Sequence, residues 1–147
     1  MNTTVRIVLK LIPDSLQTQP VFLCVDDTMV SKFGTKFENV SKLFDHAAHN
    51  GSNYLNGHCF VSVMLCVPVW NGDKVFYLSV PLGYRMWQKK ESKLELAASM
   101  IRQVMPEFHS KDHVIILCVI LCDSWYTKQN LVSIVDEYPN LDLIGNA

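Results

Sequence analysis

Two acidic stations stand at the ends of apolar runs. Asp26 and Asp27 close "VFLCV" within "VFLCVDDT", residues 21–28, and Asp123 closes "HVIILCVILCD", residues 113–123. Each station is followed by a hydroxyl residue, Thr28 or Ser124. Carboxylates gathered at a partly buried edge repel one another, and a hard divalent cation with oxygen ligands relieves that repulsion. For either acid taken alone the simpler reading is a turn or a helix cap, because an Asp just past a strand commonly accepts a backbone N–H. Two stations at matching strand ends favour the metal. If the two strands are adjacent and parallel, the acids leave the sheet at the same carboxyl edge, where open α/β sheets place their ligands.

Cations and aromatics lie near both stations. Lys32 and Lys36 in "SKFGTK" follow the first acids, and Lys89, Lys90 and Lys93 form "KKESK". Such lysines hold phosphates, although a solvated charge run is equally ordinary. The "KKESK" cluster opens a helix, where cations oppose the macrodipole but free amides attract an anion. Trp87, Trp125 and Tyr126 could stack on bases, with core packing the commoner role. His46 and His49, with His58 and Cys59, suggest zinc, but their spacing matches no standard structural site. Asp136 and Glu137 come late in a helix that points away from the strand end, so neither supplies a third ligand.

The elements that must position these groups are legible from period and punctuation. A chain of 147 residues with 49% hydrophobic and 18% charged residues suits one domain with a single core. Residues 1–20, with "VRIVLKLI" and "PDSLQTQP", read as a lead-in. Residues 21–28 read as a strand buried on both faces. Met29 to Gly57 reads as a long polar connection with a short helix around "SKLFDHAAH". "HCFVSVMLCVPVW" and "KVFYLSVPLGYRMW", split by "NGD", predict an antiparallel hairpin. From Ser92 the period becomes helical, with Leu94, Ala97, Ala98, Ile101, Val104, Met105 and Phe108 on one stripe and Ser92/Glu95 as a capping box. A strand ending at Asp123 follows, then a helix bearing Leu131, Ile134, Val135 and Tyr138 up to Pro139, then a last strand from "LDLIGNA".

Within the strand before Asp123, Ile-Leu-Cys occurs twice, at 116–118 and 120–122. An offset of four keeps side-chain parity but adds roughly 13 Å at ~3.3 Å per residue. The strand is therefore expected to be unusually long or bulged.

With 13 basic and 14 acidic residues, composition alone selects neither nucleic acid nor an acidic membrane as partner. The run Val114 to Cys122 is about half the ~20 residues of a spanning helix. Five cysteines, Cys24, Cys59, Cys66, Cys118 and Cys122, most of them in apolar runs and with no signal peptide, predict reduced thiols and a cytoplasmic location.

The order of elements, together with "VDDT", Lys32-x-Gly34, "YLSVPLGYRMW", "SKLELA" and "CDSWY", resembles the DDE-type transposases of bacterial insertion sequences over roughly residues 20 to 147. The resemblance implies an α/β, RNase H-like catalytic domain over 21–147: a mixed sheet with an antiparallel β-hairpin and parallel strands, flanked by helices and C-terminally incomplete. Asp27, or its neighbour Asp26, matches the first catalytic acid, and Asp123 the second. Asp27 is preferred because the pattern sets the acid directly before Thr. The third acid, a Glu on a later helix, has no match. The resemblance further implies two Mg²⁺ ions, with Mn²⁺ as substitute, DNA ends and target DNA as partners, no membrane, and a homodimer when full length. Two readings compete: a phosphoacceptor receiver domain, which also ends its first strand in an acidic pair, and a non-catalytic, DNA-binding RNase H-like remnant.

Overall fold

The computed structural model describes residues 1–31, 41–44, 54–88, 90–109 and 114–145. Among them, strands β1 (Val21–Ser31), β2 (Ser41–Phe44), β3 (Tyr54–Asn71), β4 (Lys74–Met86), β5 (Cys118–Cys122) and β6 (Leu141–Gly145) form one mixed sheet. Across it the order is β4, β3, β1, β5, β6, with β2 beside the first residues of β3. Strand β3 runs antiparallel to β1 and β4, whereas β1, β5 and β6 run parallel.

The hairpin between β3 and β4 turns through Gly72 and Asp73, as the Asn-Gly signal predicts. Gly72 has φ +65°, a conformation that costs glycine nothing and strains residues bearing a Cβ. The pairing shifts register beside Val63 and Met64, where Pro81, Leu82 and Gly83 let β4 bulge. As an edge strand, β4 tolerates Pro81, which cannot donate to a ladder.

Alternation along β1 decides which acid faces the core. Val21, Leu23 and Val25 are buried, Phe22 and Cys24 are half-buried, and Asp26 is exposed. Strand β1 is therefore buried on one face only, contrary to the expectation of two. Its inner side chains meet Val61, Val63 and Leu65 of β3 and Cys118 and Ile120 of β5, each such burial contributing ~1.5–3 kcal/mol for the large aliphatics. The outer face carries Phe22 against Tyr77, with ring centroids 5.1 Å apart, and the Cys24 thiol 3.8 Å from that of Cys66. All five cysteines are free thiols.

Helices α1 (Asn2–Leu9), α2 (Lys93–Val104) and α3 (Gln129–Val132) contribute to the inner core. The lead-in is thus part of the globule, with Val5, Val8 and Leu9 of α1 buried at helical spacing. Helix α2 begins where the capping box predicts, the Glu95 amide donating to Ser92 Oγ at 3.0 Å. It buries Leu94, Ala97, Ala98, Ile101 and Val104, then tightens into a 3-10 turn at Met105–Glu107, where Pro106 cannot continue the α ladder. The helix expected before Pro139 is α3 followed by a 3-10 turn, Ser133–Glu137, with Leu131 and Ile134 buried.

Two further expectations need correction. Ser41–Phe44 is a strand paired with Tyr54–Gly57, not helix, and the rest of "SKLFDHAAH" lies outside the described residues. Strand β5 is neither long nor bulged: it holds the whole second Ile-Leu-Cys copy but only Cys118 of the first, whose Ile116 and Leu117 precede it after a single bridge from Ile115 to His109. That lead leaves Val114, Ile115 and Leu117 exposed by 63%, 62% and 47%. Among the described residues no helix is long and apolar enough to cross a membrane.

Candidate functional site

Parallel pairing of β1 with β5 matches Val21 to Cys118 and Cys24 to Leu121. Continuing that register by two residues sets Asp26 level with Asp123, on strands ~4.8 Å apart. The acids therefore share one rim of the sheet. They divide between its faces: Asp26 follows Phe22 and Cys24 outward, and Asp27 follows Leu23 and Val25 inward toward α2.

Asp27 is the most elaborately held of the three. Lys93 Nζ lies 2.9 Å from its Oδ2, with both side chains mostly buried, 20% exposed for Lys93 and 24% for Asp27. The Cys59 thiol donates to the same oxygen at 3.6 Å. Cys59 reaches it from β3, whose Val61 stands opposite Asp27. Burial draws the Lys93 ammonium down in pKa, but the bond to Asp27 and its charge outweigh that, and the net displacement is upward. Burial pushes the Cys59 thiol up against the lowering influence of Lys93, so it remains a thiol.

Two indoles complete the surroundings of Lys93. Its ammonium lies 5.6 Å from the Trp87 ring centroid and 5.5 Å from that of Trp125, within cation–π range. Trp87 is fixed by two bonds, its amide to the Cys59 carbonyl and its Nε1 to the Glu91 carbonyl, both at 2.7 Å. Lys128 lies over Trp125 at 4.7 Å.

Asp123 takes the cap role that its position allows. Its Oδ1 accepts the Trp125 amide at 2.9 Å and opens the 3-10 turn Ser124–Tyr126. That turn sends Tyr126 inward, where it is 1% exposed and its hydroxyl has no hydrogen-bond partner among the described residues. Burial raises the tyrosine pKa, and Asp27, Cys59, Asp26 and Asp123 raise it further, so the phenol stays protonated among the acids. The turn is also held from β6: a Cβ at Gly145 would come within 1.8 Å of Thr127 Cγ2, and Thr127 Oγ1 is bonded to the Ser124 carbonyl.

The remaining sequence candidates are scattered. Lys90 is exposed, Lys93 is turned onto Asp27 rather than into solvent, and Lys32, Lys36 and Lys89 lie outside the described residues. So do Gly34, His46 and His49, whereas His58 is buried. Glu95 is exposed on α2, and Glu137 is paired with Arg102 at 2.7 Å. Among the described residues no three His, Cys, Asp or Glu side chains are grouped to hold a metal. The donors nonetheless fit a hard divalent cation in kind, being carboxylate oxygens beside an orphaned buried hydroxyl. Sequence reasoning missed the contact of Cys59 with Asp27 and the inward role of Lys93. The signal for the second was present, a cation in the first turn of a helix against its dipole.

Comparison of the chain with family models, with curated proteins and with solved structures gives no match.

Proposed function

We propose that this chain is the catalytic core of a DDE-type transposase, an RNase H-like domain that acts on DNA through divalent metal ions. The observation that carries this reading is the register of two adjacent parallel strands, which sets Asp26 level with Asp123 and brings Asp27, the next residue, to the same rim of the sheet. The strand plan supports it: an antiparallel trio from β1, β3 and β4, then β5 and β6 added parallel to β1 after helical connections. This is the layout expected of the RNase H-like class, and it agrees with the motifs "VDDT" and "CDSWY".

In this reading Asp27 and Asp123 are the carboxylate ligands, and Asp26 lends further negative charge at the rim. Mg²⁺ or Mn²⁺ bound there supplies Lewis acidity for in-line attack of water or a 3′-hydroxyl on a phosphodiester. Tyr126 offers a neutral hydroxyl beside the ligands, and Trp125 and Lys128 present an aromatic face and a positive charge to the DNA backbone. The third carboxylate of this class has no counterpart grouped with Asp27 and Asp123 among the described residues. Metal binding without efficient cleavage is therefore expected of these 147 residues.

The test is Mn²⁺ binding to the chain followed by electron paramagnetic resonance, with DNA nicking measured in parallel. Millimolar-range binding is expected, weakened at least about tenfold (~1.4 kcal/mol) in an Asp27→Asn/Asp123→Asn double variant. Equal binding by wild type and double variant would remove the basis for the reading. The partly buried Lys93–Asp27 pair favours one competitor, a non-catalytic DNA-binding remnant, for which DNA affinity would be independent of both acids and of metal. The receiver reading gains no such support, since β3 and β4 form a hairpin where that fold needs alternating strand and helix.

A further inference from the structure

We propose that Lys93 is a tethered cation that holds a divalent metal's place at Asp27 and must swing away before the metal binds. The inference rests on the metal-binding reading of the acids and adds a resting state to it. Four observations carry it. The ammonium sits directly on Asp27 Oδ2, at 2.9 Å, on the carboxylate that the metal would need. It is surrounded by groups from separate parts of the fold: Asp27 from β1, the indoles of Trp87 after β4 and Trp125 after β5, and the Cys59 thiol of β3, which donates to the same Asp27 oxygen. Its own position, the first residue of α2, is one where the helix dipole repels a cation, so its stability depends on Asp27. In the turn that Asp123 caps, the Tyr126 hydroxyl is buried without a partner among the described residues, leaving a polar atom ready for a further ligand or ligand-bound water.

A divalent cation on Asp27 and the Lys93 ammonium repel each other, and one oxygen cannot serve both well. Lysine suits the exchange: its charge is a compact point on a flexible four-carbon stem, so it can leave without moving the helix. Once displaced it remains at the rim, at a helix N-terminus with free amides, positioned for a phosphate oxygen. The same side chain would neutralise the acids at rest and meet the DNA backbone when the metal is bound.

The experiment uses the full chain and Mn²⁺ alone. Wild type, Lys93→Gln, Lys93→Arg and Asp27→Asn are compared by paramagnetic resonance titration. Separately, lysine acylation by an activated ester is mapped by mass spectrometry in wild type with and without saturating Mn²⁺. Lys93→Gln is expected to bind Mn²⁺ about tenfold more tightly than wild type, since the competing charge is gone. Lys93→Arg keeps the charge and the ring contacts and should bind no more tightly than wild type. Labelling of Lys93 should rise several-fold with Mn²⁺ while the exposed Lys90 stays constant. Unchanged Lys93 labelling at saturation overturns the proposal even if Lys93→Gln fails to fold. Equal affinity of wild type and Lys93→Gln, with loss in Asp27→Asn, overturns it while leaving the metal site standing. Absence of binding in wild type and both Lys93 variants removes both.

Discussion

Asp123 has two separable duties, and the choice of substitution distinguishes them. Its Oδ1 caps the turn that seats Tyr126, and its carboxylate is a proposed metal ligand. Asparagine caps about as well as aspartate, whereas alanine does not. Asp123→Asn is therefore expected to melt within a few tenths of a kcal/mol of wild type while losing Mn²⁺ affinity. Asp123→Ala should lose both, at a cost of about 1 kcal/mol in stability. Denaturant titration of the two variants checks this, and a large stability loss in the asparagine variant would mean that the charge, not the cap, holds the turn. Sequence exposed both possibilities for this residue because each depends only on local order. It could not expose the partnership of Asp27 with Lys93 and Cys59, since those three are joined by strand register and by the direction of a helix.

At the scale of elements, β5 shows how one apolar run is divided by its neighbours. Ile120 is fully buried between β1, β6 and the helices, while Ile115, five residues earlier in the same run, is 62% exposed. Ile120→Ala should cost about 2–5 kcal/mol, the range for a buried aliphatic truncated to alanine. Ile115→Lys should change stability by less than about 0.5 kcal/mol and reduce self-association, because it breaks an exposed β-prone segment. Chemical denaturation and light scattering measure the two effects; a large stability loss in Ile115→Lys would place that side chain inside the core. Hairpin, capping box and helical stripe were readable because turn residues and hydrophobic period are local signals. Helix α1 was not, since its N-cap is Met1 without a side-chain bond and its first turn carries no acid. The run "VRIVLKLI" also has the β-branched content of a strand.

For the whole molecule, protonated groups drawn partly or wholly out of water set an alkaline limit. Burial and the neighbouring Cys66 push the Cys24 thiol from 9.0 up to about 11, and burial raises Cys118 and Tyr126 as well. A folded-state pKa raised above the unfolded one gives stability that is complete below the unfolded value and lost as pH climbs through the folded value. The melting temperature should thus hold up to about pH 9 and decline steadily from there to about pH 11, with Tyr126 adding to the loss above ~10. Calorimetry of wild type and Cys24→Ala from pH 8 to 11 tests it: the variant should show a shallower decline, and identical slopes would discharge Cys24 from the effect. The mixed α/β plan was foreseeable from the element order, but the exposure of one sheet face was not. Phe22 and Cys24 are as apolar as their buried neighbours, and only the placement of the helices tells the faces apart.

The doubled Ile-Leu-Cys has a consequence for anyone handling this protein. Sliding the strand by four residues would seat Ile116 and Cys118 where Ile120 and Cys122 now lie, each still facing inward, with like replacing like. Such a slide would draw the turn Ser124–Tyr126 along with it and take Tyr126 out of its place in the core, so heat and denaturant would judge the slid form the weaker. The acid that trails the strand would travel roughly 13 Å from its companions, so the burial that seats Tyr126 also keeps the carboxylates in register.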